Sequence, residues 1–516
     1  MITSFLTWFS ARFRWQIPSW QTYRLFRSVL TTGVLLCVFF DQVRAVEAIP
    51  GALDSEFLPV LPTNTPVGGF VVQADGKVVV ASGKEVSRLR VNGSLDVTFS
   101  SGIGVEGPIY QDSHGLSDLA SLQRLALEAD GKPLLAGVFT SVNGAELHND
   151  IARLNLDGTV DNTFEPDPGN PERNPVLVVT PQVNWVLPLG DGKVMVAGEF
   201  GQMNGQIVPQ VALLNPDGTL NPDFGFDPKM LQLPESGWGK PVPLAETPDG
   251  RILMFGDQWA LAEPIAGTQS TNLLALVNRN GNLDSSFAPA RLVLTFDGRS
   301  VLSSGPAAIQ ADGKVIITGP FDTVNGAPMA QIARLNADGS VDSSFMTKAA
   351  VNGLIHGLVV QSDGRILIAG EFDTVNGQRR IRVARLNADG ALDATFDPGS
   401  GPDGPVRQIA LQPYLGILIS GDFQNVNGQS RPSLARLYAG SLADQIQLSN
   451  AKAAGGGGFT FSVLGLTTNA IDIQATEDLK HWMPVSTNLF LTSSNQLLTI
   501  PFDATQSYRF FRLQLH

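Results

Sequence analysis

The apolar positions fall in short runs of three to five residues, cut at regular intervals by Asp-Gly and Asn-Gly. In 358–396 the runs are LVVQ, RILIAG, RVARLN and ALDATF, with Asp363-Gly364 and Asp389-Gly390 between them. Asp-Gly flanked by apolar runs predicts a tight hairpin with a type I′ turn, which needs positive φ at both central residues. Asn376-Gly377 falls in a longer connection. The unit therefore predicts four short antiparallel strands, a to d. Strand b, Ile366-Leu367-Ile368, shows no polar alternation, as expected of a strand buried on both faces.

The pattern recurs. Asp-Gly turns at 75–76, 130–131, 191–192, 249–250, 312–313 and 363–364 are 51 to 63 residues apart, and 409–423 is a seventh copy without the Asp-Gly. Leu/Val-Asp-x-x-Phe ends at Phe57, Phe99, Phe164, Phe287, Phe345 and Phe396, with Phe224 ending a variant. A four-stranded unit at this period, covered by its neighbours, is a propeller blade. The first d motif, LDSEF (53–57), precedes any a, b or c strand, and the last unit has no intact d motif. The ring closes if 53–57 completes the last blade; GSLAD (440–444) is the local alternative.

The segments DGKVIITGPFDTVNG and IARLNADGSVDSSF, with their copies over 53–438, resemble the delta-60 repeat family of bacterial exported proteins. The resemblance implies a β-propeller-like array and brings no reaction or catalytic residue. After Tyr438 the repeat stops, and IQATEDLKHW with RFFRL resembles a small β-sandwich module at the ends of bacterial exported proteins. The expected fold is all-β, a seven-bladed propeller of four-stranded blades over 46–440 with a sandwich over 441–516.

Residues 1–45 read as an export signal: Arg12, Arg14, Arg24 and Arg27 precede the apolar stretch 28–40, and Val43-Arg44-Ala45 offers a cleavage site. The stretch is short for a membrane span of about 20 residues, so no span is expected after cleavage. An uncleaved anchor is the alternative. Cys37, the one cysteine, lies in this leader. Without 1–45 the net charge moves from −13 to −17, with 30 basic against 47 acidic residues. That balance argues against nucleic acid as a partner.

Candidate chemistry is sparse. The a–b and c–d turns share one end of each blade, while the b–c loops and d–a crossings share the other and vary in length, where binding usually resides. Phe139, Phe200, Phe321, Phe372 and Phe423 recur in the b–c loops with Asn143, Asn204, Asn325, Asn376 and Asn427. They form either a sugar-binding ring or interblade plugs with turn residues. Aromatics that break the repeat are the candidate ligand residues: Trp185, Trp238, Trp259 and Tyr110, with His114. The loop acids Glu199, Glu371, Asp422, Asp322 and Asp373 lack a calcium-loop pattern, and the histidines lack metal spacing, so no metal or cofactor is expected. The leading expectation is a monomeric, exported, non-catalytic binding or scaffold protein of the periplasm, cell surface or exterior, with a polysaccharide or protein as partner. The alternative is a polysaccharide hydrolase or lyase with carboxylates at the channel mouth.

Overall fold

In each copy of the repeat three antiparallel strands pair in the order a-b-c, and repeat 6 shows the pattern as a separate sheet. Its strand a (Ile355–Val360) pairs with strand b (Ile366–Gly370), which pairs with strand c (Val383–Leu386). Every residue of strand b is buried, which explains its unbroken apolar run. Each such side chain contributes roughly 1.5–3 kcal/mol by leaving water. Apolar clusters join neighbouring copies: Ile316 and Ile332 of repeat 5 pack with Ile366 and Ile368 of repeat 6. Leu367 and Val383 of repeat 6 pack in turn with Ile417 and Ala435 of repeat 7.

The computed structural model describes residues 38–40, 49–61, 65–100, 102, 104–107, 109–112, 115–118, 120–146, 150–168, 182–208, 210–226, 239–258, 269–295, 305–329, 331–346, 349–413, 416–440, 447–454, 458–464, 471–476, 483–489, 495–501 and 510–515. Among them the only α-helix is the single turn Ser343–Met346, and no helix is long and apolar enough to cross a membrane. Apart from 38–40, the expected leader lies outside these residues. The chain divides into two compact units, one of residues 47–445 and one of 1–46 with 446–516. In the second unit, Gln447–Ala454, Gly458–Leu464 and Asn495–Pro501 form one sheet. Ile471–Thr476, Met483–Leu489 and Phe510–Leu515 form another, and Val38–Phe40 pairs parallel with Phe510–Leu515.

The expected fourth strand is not one. In repeat 6 it shrinks to a single bridge, Leu386 to Leu392, after which the chain turns. Asp393 causes the turn: its Oδ1 accepts from the Thr395 amide at 2.9 Å and the Thr395 hydroxyl at 2.6 Å. Such a local side-chain bond competes with extended pairing. It also drops Phe396 into the core, where it is fully buried. The blades are thus three-stranded, each with a capped turn where a fourth strand was expected.

The turn types are also the reverse of expectation. In the Asp-Gly hairpins only the glycine has positive φ, as at Gly76 and Gly364. The Gly76 amide donates to the Gln73 carbonyl and the Gln73 amide to the Lys77 carbonyl, a three-residue loop ending in a glycine bulge. Asp75 contributes by accepting from the Lys77 amide. The type I′ geometry belongs to Asn-Gly, where both residues have positive φ, as at Asn376 (52°) and Gly377 (72°).

Adjacent repeats are joined by a recurring polar staple. Arg88, Arg153, Arg334, Arg385 and Arg436 on strands c are buried, as are the aspartates they meet. Each Nε donates at 2.7–3.0 Å to its aspartate: Asp96, Asp161, Asp342, Asp393 and Asp54. Each guanidinium carbon lies 4.6–5.0 Å from the centre of a capped Phe ring. Each remaining arm donates to a backbone carbonyl of the following repeat: Leu156, Pro216, Ala388 and Ala439 from the first four. Arg436 of the last repeat donates to Val91 of the first at 2.7 Å.

The amino-terminal segment joins the same junction. Leu53 bridges Leu437, the Asp54 amide donates to Arg436, and Phe57 packs with Phe70 of repeat 1 and Leu418 of repeat 7. The Gln408 and Gln412 side chains of repeat 7 bond the backbone of Phe70 and Gly76 in repeat 1.

Candidate binding face

In repeats 2, 3, 5, 6 and 7 the b–c connections are short hairpins of their own. In repeat 6, Thr374–Val375 pairs with Gln378–Arg379 around Asn376-Gly377. Asn tolerates the left-handed conformation better than most residues because its short amide bonds nearby backbone. That amide then clips the crossing that enters the repeat: Asn376 Oδ1 accepts from the Ala350 amide at 2.7 Å, while the Asn376 amide donates to the Ala350 carbonyl. Asn143, Asn325 and Asn427 clip Gly104, Arg291 and Gly401 in the same way. Hairpins and crossings therefore form one end of each repeat. The five hairpin phenylalanines are all buried, so their rings fill the gaps between repeats and present no stacking surface.

A row of charged side chains crosses repeats 6 and 7 on this face, at the starts of strands a and the ends of strands b. Arg407 meets Asp422 through Nε and a terminal nitrogen, both at 2.8 Å, and Glu371 at 2.6 Å. Glu371 in turn lies 2.9 Å from Nε2 of His356. The hydrogen bond with His356 holds the Glu371 carboxyl below its usual range, against partial burial and with help from the Arg407 charge. These two loop acids are thus committed to ion pairs.

On the same face lies an open groove of about 460 Å³, lined by Arg379, Ile381, Arg382, Pro402, Asp403 and Asn425, with Ser400, Gly401 and Gly428. Asp403 is already engaged: Oδ1 accepts from the Gln424 and Asn425 amides and Oδ2 from the Asn425 side chain. Arg382 donates to the Pro402 carbonyl, and Arg380 to that of Arg379. Among the described residues none of Arg379, Arg380 and Arg382 has a carboxylate within ion-pair distance.

Of the residues singled out in the sequence, Trp238, Trp259 and His114 lie outside the described set. Tyr110 lies on a strand, Ile109–Asp112, paired with Gly115–Asp118. Trp185 is not on a loop. It sits in strand a of repeat 3 (Gln182–Pro188), just after a bulge, and is half-buried. The Arg124 guanidinium of repeat 2 stacks 3.4 Å from its ring. Crowding lowers the Arg124 pKa to about 10, which leaves it charged at neutral pH, although its surface reaches solvent. Trp185 therefore has one face occupied.

The arginines 379, 380 and 382 were not found by the search for aromatics. Their signal was present: repeat 6 reads Gln-Arg-Arg-Ile-Arg at 378–382 where repeat 7 reads Gln-Ser-Arg-Pro-Ser at 429–433.

No curated protein matches the chain. One solved structure, titled "Crystal structure of the eukaryotic initiation factor", is 12% identical over 86% of this chain and 93% of that one. Its TM-score of 0.24 carries no structural conclusion. Residues 73–99, 128–164, 189–224, 247–287, 310–345, 361–396 and 417–439 match the family model described as "Domain of unknown function (DUF5122) beta-propeller". The chain is accordingly an all-β protein with seven segments that match β-propeller repeats of that type.

Proposed function

We propose that the chain is an exported, non-catalytic binding or scaffold protein of the cell envelope or exterior, holding a polysaccharide or protein on the hairpin face of a seven-bladed ring. In this reading residues 1–45 are a leader, the segment 53–57 closes the ring, and 441–516 is a small sandwich. The repeated staple supports closure, because Arg436 reaches repeat 1 in the sense that every other staple reaches its successor. Cutting back the chain to Pro59 tests closure: a ring needing that segment loses cooperative unfolding, and an unchanged transition sinks it.

The observation carrying the functional reading is the hairpin face itself. Clipped hairpins hold a fixed backbone, their side chains differ from repeat to repeat, and an open groove lies between two of them. Rigid elements displaying variable loops are suited to recognition. Glu371 and Asp422, two of the loop acids, are paired to Arg407. Such pairing suits charge neutralisation better than proton donation, which calls for a raised pKa. The test is thermal unfolding of the full chain against polysaccharides and candidate proteins, with reducing-sugar release followed in parallel. A ligand of the folded state raises the transition by RT ln(1 + [L]/Kd). A shift without sugar release supports binding; a shift with release moves the assignment to a hydrolase or lyase.

A further inference from the structure

We propose that the groove between the hairpins of repeats 6 and 7 recognises the carboxylates of an acidic polysaccharide, with Arg379 and Arg382 as the recognising residues. The inference rests on the binding reading above and names its ligand class. Three observations converge. The first is the local charge. Arg379, Arg380 and Arg382 fall within four consecutive positions at the end of one hairpin, and none has a carboxylate partner among the described residues. By contrast, the staple arginines 88, 153, 334, 385 and 436 all have one. Nε of Arg380 is buried without any hydrogen-bond partner.

The second is the chemistry of the lining. An Arg fork matches a carboxylate in geometry as well as charge. Asn425 adds an amide, and the exposed backbone at Gly428 allows close approach. The one lining acid, Asp403, spends its oxygens on the loop around 424–425 and does not neutralise the arginines. The third is the absence of an aromatic anchor: no aromatic side chain lines the groove, and its two apolar residues, Ile381 and Pro402, are buried. Protein interfaces draw most of their energy from such anchors. A chain of hydroxyls and carboxylates needs none. The volume of about 460 Å³ falls in the usual range of small-ligand sites, roughly 300–1,000 Å³.

The net charge of −13 does not oppose this. Screening confines a surface field to about 10 Å at 0.1 M salt. A ligand in the groove therefore responds to the arginines beside it more than to acids on distant repeats.

Repeat 7 supplies the test variant. Ser430 and Ser433 stand where repeat 6 has Arg379 and Arg382, and Ser433 adopts φ of 62° against 61° for Arg382. Arg379→Ser/Arg382→Ser in the full chain should fold, which an unchanged unfolding transition verifies. Binding is measured by calorimetry with polygalacturonate, dextran and polyglutamate. The expected result is binding of polygalacturonate that weakens with salt, falls at least tenfold in the variant, and exceeds that of dextran and polyglutamate. Equal binding of dextran, or equal binding by the folded variant, overturns the proposal while leaving a binding function on this face intact. Preference for polyglutamate overturns it in favour of an acidic protein segment. If no glycan or protein binds the full chain by any measure, the functional reading fails with it.

Discussion

Repeats 1, 2, 5, 6 and 7 carry the buried Arg–Asp staple; repeats 3 and 4 do not, yet their strands a, b and c pair in the same order. At the arginine position they have Leu213 and Leu276, and repeat 3 has also exchanged the aspartate for Asn221. The junction between repeats 3 and 4 is apolar instead: Leu213, Phe224 and Phe226 pack with Ile252 and Met254, and the two phenyl rings lie 6.3 Å apart, nearly parallel. A polar tie runs in the opposite sense, from Arg279 of repeat 4 to Asp191 of repeat 3 at 3.6 Å. Between repeats 4 and 5 the join is backbone pairing, because strand c of repeat 4 (Gln269–Val277) continues through Ala290–Thr295 to the hairpin of repeat 5 in one six-stranded sheet. The staple is therefore one of three ways to join repeats. In repeat 4 Asp284 keeps a partner in Arg251 of the a–b turn, the position that also pairs the aspartate in repeats 1, 2, 5 and 6.

The sharpest way to break this comparison is to remove one charge alone. Arg385 is 2% exposed, and Asp393 beside it is 5% exposed. Arg385→Leu strands a buried carboxylate, so a loss of about 3–5 kcal/mol is expected from urea unfolding. The Arg365 nitrogen at 3.7 Å offers only partial relief. Adding Asp393→Asn recreates the Leu213–Asn221 pair of repeat 3 and should recover much of the loss. If single and double variants are equally unstable, the aspartate charge is not the cause, and the bond to Ala439 must be.

Acid should separate the two kinds of repeat next. Burial pushes Asp96, Asp161 and Asp342 up, but hydrogen bonds from Thr98, Lys132 and Thr163, and Ser344, with the staple arginines, outweigh it and hold each well below the ordinary carboxylate range. A carboxyl lower in the folded than in the unfolded chain stabilises above its unfolded value, near 3.9, and that stability is lost as pH falls further. Hydrogen exchange between pH 4 and pH 2 should show strands c of repeats 1, 2 and 5 losing protection before that of repeat 3, where Asn221 cannot titrate. Simultaneous loss in all repeats would mean that the junctions do not act separately.

Much of the architecture was legible. Unbroken triplets such as Ile366-Leu367-Ile368 marked doubly buried strands, and the displaced LDSEF motif marked its pairing with Leu437 across the chain. The d motif misled because Leu and Phe at its ends look like strand positions, while the side chain of Asp393 decides for a turn. The turn types misled because Asp-Gly and Asn-Gly look alike in sequence. The aspartate folds back on an amide two residues on, and only the asparagine enters the left-handed region. At the candidate site the aromatics drew the eye, yet Trp185 belongs to a strand. The groove arginines stood out only against the serines of repeat 7, and net charge conceals a local excess of the opposite sign.

A smaller contrast lies where strand c begins in repeats 2, 3, 5, 6 and 7, at a residue of positive φ: Asp150, Gln210, Gln331, Arg382 and Ser433. Asp150 is buried, one of its oxygens has no partner, and burial raises its carboxyl to about 7, against the Phe139 amide bond. The folded chain thus holds a proton that the unfolded chain releases near 3.9, so stability falls as pH rises from about 4 to 7. Asp150→Asn should add about 1–3 kcal/mol at pH 8 and little at pH 4, since roughly 1.4 kcal/mol attaches to each unit of pKa. A gain independent of pH would point to packing instead.

The finest contrast is between the hairpin clips of repeats 6 and 3. Asn376 joins its crossing in both directions, and Ala in its place would have to hold φ of 52° without the amide bond to Ala350. A loss of about 1–2 kcal/mol is expected from the missing bond and the strained backbone together. Asn204 has the same φ but a weaker clip: its amide nitrogen donates to Glu165 at 3.2 Å, and its buried oxygen has no donor. Asn204→Ala should therefore cost less than Asn376→Ala by roughly the value of one hydrogen bond, about 1 kcal/mol. Asn→Gly at both positions removes the backbone strain and isolates the side-chain bond. If the two glycine variants lose equal stability, the Ala350 bond adds nothing to repeat 6 that repeat 3 lacks, and the hairpin face is held by its turns alone.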